Sequence, residues 1–184
     1  TGPASANSAS VTPYTTPGAS TSVVASPENS GAVVSWTAPD SGGSTITGYK
    51  VTAEPGGATC QTTDSTSCTV GGLVNGTAYT FSVVATNAAG DGPAATSAAE
   101  TVTPRTTPGA PTAVSGVGGN TQVTVSWTAP GNNGGSAITV YTVTAAPGGA
   151  TCQTTDSTSC TVVGLTNGTA YTFSVVATNA AGDG

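Results

Sequence analysis

Val34-Ser35-Trp36 followed by Gly48-Tyr49-Lys50-Val51, and later Val125-Ser126-Trp127 followed by Val140-Tyr141-Thr142-Val143, are the stretches from which the fold can be read. Large apolar residues alternate with small or polar ones, the period-two pattern of a strand with one face buried. Turn formers separate the blocks: Pro39-Asp40-Ser41-Gly42-Gly43 stands between the first two. On either side of these blocks the pattern predicts strand A near Thr21 to Ser26, B at Ala32 to Thr37, C at Ile46 to Ala53 and C′ near Ala58 to Thr62. Strands E at Ser67 to Val70, F at Thr77 to Asn87 and G over Ala94 to Thr103 complete the set. One face of these strands carries Val34, Trp36, Tyr49, Val51, Tyr79, Phe81, Val83 and Ala85, the expected core. The second copy offers Val125, Trp127, Tyr141, Val143, Tyr171, Phe173, Val175 and Ala177.

The copies are offset by 127 − 36 = 91 residues at the tryptophans and by 152 − 60 = 92 at the cysteines. The extra residue lies in the Gly-rich turn Pro130-Gly131-Asn132-Asn133-Gly134-Gly135, where surface backbone tolerates a change of length. From Gly56 to Gly92 the copy at Gly148 to Gly184 differs only at Gly71/Val163 and Val74/Thr166. A period this long is one domain per repeat. The chain is therefore divided into a G-like strand at 1–13, a linker at 14–17, a domain at 18–103, a linker at 104–108 and a second domain at 109–184.

Only 5% of the 184 residues are charged, against a usual value of about 25%. Two basic residues against eight acidic ones leave a net charge of −6 and no cluster able to neutralise phosphates, so neither nucleic acid nor an anionic membrane surface is an expected partner. No apolar run approaches the roughly 18 residues of a spanning helix, so membrane insertion is not expected, and no charged-then-apolar signal segment opens the chain, which reads as a mature chain or an excised piece. The four cysteines fall into equivalent pairs, Cys60/Cys68 and Cys152/Cys160, with none left over. That arithmetic favours disulfides and an extracellular, secreted or cell-surface setting.

Val34-Ser35-Trp36, Gly48-Tyr49-Lys50-Val51 and Leu73-Val74-Asn75-Gly76-Thr77-Ala78-Tyr79 together resemble the fibronectin type III family, over nearly the whole chain. The resemblance implies an all-β fold of tandem seven-stranded, immunoglobulin-like sandwiches. It implies a tyrosine corner at Tyr79 and Tyr171, whose hydroxyls would bond backbone near Leu73 and Leu165 while their rings join Trp36 and Trp127 in the cores. The cysteine pair departs from most animal members and is similar to the version found in secreted bacterial proteins, especially of actinobacteria.

The ends add a second expectation. Pro13-Tyr14-Thr15-Thr16-Pro17-Gly18-Ala19 matches the linker Pro104-Arg105-Thr106-Thr107-Pro108-Gly109-Ala110, so Gly2 to Thr12 reads as a strand G with no domain before it. The second domain stops at Ala181-Gly182-Asp183-Gly184, where its own strand G should begin. A spare strand carrying Gly2, Pro3, Val11 and Pro13 could complete the open edge of a neighbour's second domain, head-to-tail, and generate a filament. Equally, 184 residues could be one unit of a longer covalent array.

Chemistry has little to stand on. With no His, one Lys and one Arg, a Ser-His-Asp arrangement is impossible, and two cysteines per domain are too few ligands for a metal. Asp64, Asp91 and Asp156 sit in turn contexts, and no calcium-loop pattern or Arg-Gly-Asp tripeptide occurs. A repeated isopeptide crosslink is excluded because the second domain has no Lys. Asn75-Gly76-Thr77 and Asn167-Gly168-Thr169 match the glycosylation sequon, yet Asn-Gly is also the natural tight turn between strands E and F. No cofactor and no enzymatic activity are expected. The first functional reading is an extracellular structural protein, subunit or segment of a surface fibre, stiffened by Pro-Thr-Thr-Pro linkers. The second is a spacer or weak carbohydrate-binding module of a secreted bacterial hydrolase or adhesin, although only Tyr14 among the aromatics lies clearly outside the core pattern.

Overall fold

The computed structural model describes residues 2, 5–7, 9–97 and 101–184. Two compact units are formed, each a pair of packed antiparallel sheets. In the first sandwich, β1 (Thr21–Glu28), β2 (Gly31–Thr37) and β5 (Ser67–Gly71) form one sheet in the order β1-β2-β5. The other contains β3 (Gly48–Glu54), β4 (Thr59–Thr62), β6 (Thr80–Asn87) and β7 (Gly90–Asp91) in the order β4-β3-β6-β7, with β8 (Ala95–Thr96) also paired to β6. The second sandwich repeats the plan. Its sheets are β13-β10-β9 and β12-β11-β14-β15, built from β9 (Thr112–Gly119), β10 (Gln122–Thr128), β11 (Ile138–Ala146), β12 (Thr151–Thr154), β13 (Ser159–Val163), β14 (Thr172–Asn179) and β15 (Gly182–Asp183).

Alternation places the first core as the sequence requires. Val34, Trp36, Tyr49, Val51, Tyr79, Phe81, Val83 and Ala85 are all buried. In the second sandwich Val125, Trp127, Tyr141, Val143 and Ala177 are buried, whereas Tyr171, Phe173 and Val175 are only half-buried and pack at the margin of that core. The facing strand is part of the reason. β1 points Val23 into its core, but β9 carries Gly116 and Gly118 on its inward side and presents an exposed residue at every position. A glycine contributes no apolar area, so β9 is held by its backbone ladder to β10 rather than by burial.

Two expected strands are shorter than their pattern. Strand F starts at Thr80 rather than Thr77, with Tyr79 making a lone bridge, because Asn75-Gly76 turns with Gly76 at φ 85° and the chain needs Thr77 and Ala78 to leave that turn. The expected strand G over Ala94 to Thr103 contributes the Ala95–Thr96 pairing to Val83 and Ser82 and a bridge at Val102; Ala98, Ala99 and Glu100 lie outside the described residues. Gly92 N–H donates to Ala85 O at 2.8 Å on entering that edge, and Gly184 N–H donates to Ala177 O at 2.9 Å in the second sandwich. The two sandwiches thus follow the same path as far as Gly92 and Gly184.

Candidate functional site

Each cysteine pair joins the two sheets of its sandwich at one flank. Cys60 on β4 and Cys68 on β5 are bonded, as are Cys152 on β12 and Cys160 on β13, with Cα atoms 6.2 Å apart in both. β4 and β5 are edge strands of opposite sheets, so the bond closes the flank where strand pairing cannot. Cys152 stands opposite Val143 and Cys160 opposite Val125, both fully buried, which anchors the strap to the core.

Trp36 stacks on Tyr49 with ring centroids 5.2 Å apart and planes tilted by 55°, and Trp127 on Tyr141 at 5.3 Å and the same tilt. In each pair the indole N–H is buried without a hydrogen-bond partner. Burial pushes the Tyr49 phenol above its ordinary pKa. Tyr171 Oη accepts from Thr166 N–H at 3.1 Å, one residue past Leu165, and Tyr79 fills the equivalent core position.

Asparagines that carried no weight in the sequence do much of the fastening. Asn87 is buried; its Nδ2 donates to Thr15 O and Ser41 O at 2.7 and 2.8 Å, and its Oδ1 accepts from Ala89 N–H at 2.8 Å. Asn179 repeats this with Thr106 O, Asn133 O and Ala181 N–H. Together with Thr15 N–H to Gly42 O and Gly18 N–H to Asp40 O, these bonds clamp the segment ahead of each sandwich against its Gly-rich turn. The repeated Thr-Asn-Ala-Ala-Gly-Asp-Gly was the available signal. In the two sequons, Asn75 Oδ1 accepts from Ser30 N–H and its Nδ2 donates to Asn29 Oδ1, while Asn167 does the same with Thr121 and Asn120. Both amide ends are committed to joining two turns.

The residues of the proposed assembly strand are not brought to any sheet. Gly2, Val11 and Pro13 are exposed and outside regular structure, Val11 at 86% exposure, and Pro3 lies outside the described residues. Tyr14 is exposed.

A groove of about 510 Å³ opens on the outer face of the β4-β3-β6-β7 sheet. Its lining includes Gly48 and Lys50 of β3, Gln61 of β4, Thr63, Thr86 and Asp91. Lys50 and Asp91 are exposed; Thr86 Oγ1 donates to Asp91 Oδ1 at 2.6 Å. Among the described residues the Lys50 ammonium and the Gln61 amide have no hydrogen-bond or ion-pair partner. No group of three or more metal-ligating side chains converges among the described residues, and no nucleophile is paired with a base. The arrangement can bind through hydrogen bonds; it holds no reactive constellation.

The model of the fibronectin type III domain matches residues 16–102 and 107–184. The chain is 40% identical over 146 residues to chitinase A1 of Niallia circulans, covering 75% of this chain and 20% of that protein. It is 39% identical over 169 residues to endoglucanase B of Cellulomonas fimi, covering 84% and 16%, and 40% identical over 161 residues to exoglucanase B of the same species, covering 83% and 14%. The chain thus spans a fifth or less of the length of these curated relatives. Among solved structures, the chicken CNTN1 FN1-FN3 domains match at 22% identity and a TM-score of 0.47, over 93% of this chain and 65% of that one.

Proposed function

Because the chain belongs to the fibronectin type III domain family, we propose that it is a non-catalytic spacer module of a secreted bacterial polysaccharide hydrolase. One observation carries this. Three relatives whose names give different activities, a chitinase, an endoglucanase and an exoglucanase, share with this chain a segment that is a small part of each. A segment common to different activities does not set the reaction, and here it has no His and, among the described residues, no paired catalytic groups. What it supplies is mechanical: two stapled sandwiches, each clamped to the segment before it by a buried asparagine, hold distance better than a flexible linker does. The disulfides suit the extracellular side. The relatives favour this role over a head-to-tail fibre.

The test is replacement. In a hydrolase carrying this tandem, a Gly-Ser linker of the same residue count should leave hydrolysis of soluble oligosaccharides unchanged and lower the rate on insoluble polysaccharide. Equal rates on both substrates would overturn the proposal, as would sugar release by the isolated 184-residue chain.

A further inference from the structure

From Gly43 to Gly92 and from Gly135 to Gly184 the two repeats differ at six positions. Three of these, Gly48/Val140, Lys50/Thr142 and Glu54/Ala146, fall on alternate residues of β3 and β11. Their neighbours Tyr49, Val51 and Ala53 point into the core, so the three changes share the outer face. Core and disulfides are retained, and the other three changes, Thr45/Ala137, Gly71/Val163 and Val74/Thr166, are scattered over loops and the end of β5.

Two of the three outer-face positions, Gly48 and Lys50, line the groove. Its floor exists because position 48 has no side chain: a Cβ there would lie 3.2 Å from Thr62 O. In the second sandwich Val140 occupies the position, and Gln153 Nε2 donates to Thr142 Oγ1 at 3.1 Å, so the amide that is unengaged in Gln61 is consumed. Lys50, which offers three donors, is replaced by that same threonine.

We propose that the groove of the first sandwich is a binding subsite for a neutral polysaccharide chain, and that the second sandwich has no such subsite. This rests on the hydrolase-module reading for the identity of the polymer. The recognition chemistry is in the lining: an ammonium donor, an amide with donors and an acceptor, four threonine hydroxyl oxygens whose protons are already donated within the protein and which remain as acceptors, and the second carboxylate oxygen of Asp91, all around an open trough. A sugar ring presents hydroxyls that both donate and accept, so each of these groups finds a partner. A polyanion is disfavoured, since Asp91 lines the groove together with the single ammonium and the whole chain carries −6. Without an aromatic platform the subsite is weak, with a dissociation constant on the order of millimolar. Weak contact suits a module tethered beside a substrate surface, where effective concentration supplies the occupancy.

The experiment titrates the isotopically labelled 184-residue chain with cellohexaose and with chitohexaose and follows the backbone amides. Saturable shifts are expected at Gly48, Lys50 and Gln61, with none at Val140, Thr142 and Gln153. Gly48→Val installs the residue the second repeat accepts and should weaken binding roughly tenfold or more. Lys50→Thr, equally native to the second repeat, provides a milder variant, and an unchanged melting temperature shows that either one folds. Three outcomes would overturn the subsite: no shift with either sugar, equal shifts in both sandwiches, or tighter binding of dextran sulfate than of the neutral sugars. If the sugars fail to bind while linker replacement still slows attack on insoluble substrate, the subsite falls and the module role stands. If the sugars bind and replacement is harmless, the reverse holds.

Discussion

Replacing both Cys60 and Cys68 by alanine should unfold the first sandwich selectively. The bond closes a loop of nine residues, since the cysteines are separated by eight. Loop-closure entropy for nine residues is about 8.7 cal/mol/K, which releases about 2.6 kcal/mol of stability at 25 °C when the link is lost. For a unit of this size each kcal/mol moves the melting temperature by roughly 4–8 °C, so a fall of about 10–20 °C follows. Each sandwich contains one tryptophan, Trp36 or Trp127, so fluorescence can report them separately. A Trp127→Phe background isolates the first transition and Trp36→Phe the second, each measured against urea with and without the cysteine pair. The Trp36 midpoint should fall and the Trp127 midpoint should stay. If the loss were below about 0.5 kcal/mol, the strap would not act by restraining the unfolded chain. If instead both tryptophans shifted equally, the two sandwiches would not unfold as separate units.

Asn87→Ala removes three hydrogen bonds at a buried position and strands Ala89 N–H and two carbonyls; it should cost about 2–3 kcal/mol in the Trp36 transition, and a cost near zero would show that water replaces the clamp. Gly42→Ala meets two obstacles, a φ of 68° and a Cβ position 2.5 Å from Thr15 O, and should destabilise by about 2 kcal/mol or more in the same assay; a neutral result would mean that the turn shifts freely. Burial holds the Tyr49 phenol above its ordinary pKa, which favours the neutral form in the folded state. Its contribution is therefore complete below the unfolded value of about 10 and is lost as pH rises beyond it, because the unfolded chain ionises first. Urea midpoints should drop more steeply across that range in the parent than in Tyr49→Phe, and identical slopes would remove Tyr49 as the cause.

The alternation around Trp36 and Tyr49 was enough to read the sandwich, because period two decides which face each residue occupies. It does not decide how thoroughly a face is covered. Tyr171, Phe173 and Val175 sit in the same local sequence as Tyr79, Phe81 and Val83 yet are half-buried, since cover comes from strands distant in the chain, and β9 offers Gly116 and Gly118 where β1 offers Ala25 and Pro27. The asparagine clamps left only a repeated motif in the sequence, and not their role, for a related reason: Asn87 meets Thr15 from 72 residues away, and nothing local marks an amide as buried. The groove was legible only by difference. Gly48 resembles any strand glycine until it is set beside Val140, and the pair then marks a floor left open in one copy.

The strap between β4 and β5 also alters what a protease can achieve. Residues 63–67 form the exposed tip of the loop that the bond encloses, the place where an extracellular enzyme finds backbone to cut. A nick there severs the polypeptide but not the molecule, since the fragments on either side remain joined through Cys60 and Cys68. A cut domain keeps both of its sheets tied together and can go on bridging whatever its ends are attached to. In the second sandwich Cys152 and Cys160 confer the same tolerance on a cut in the loop between them.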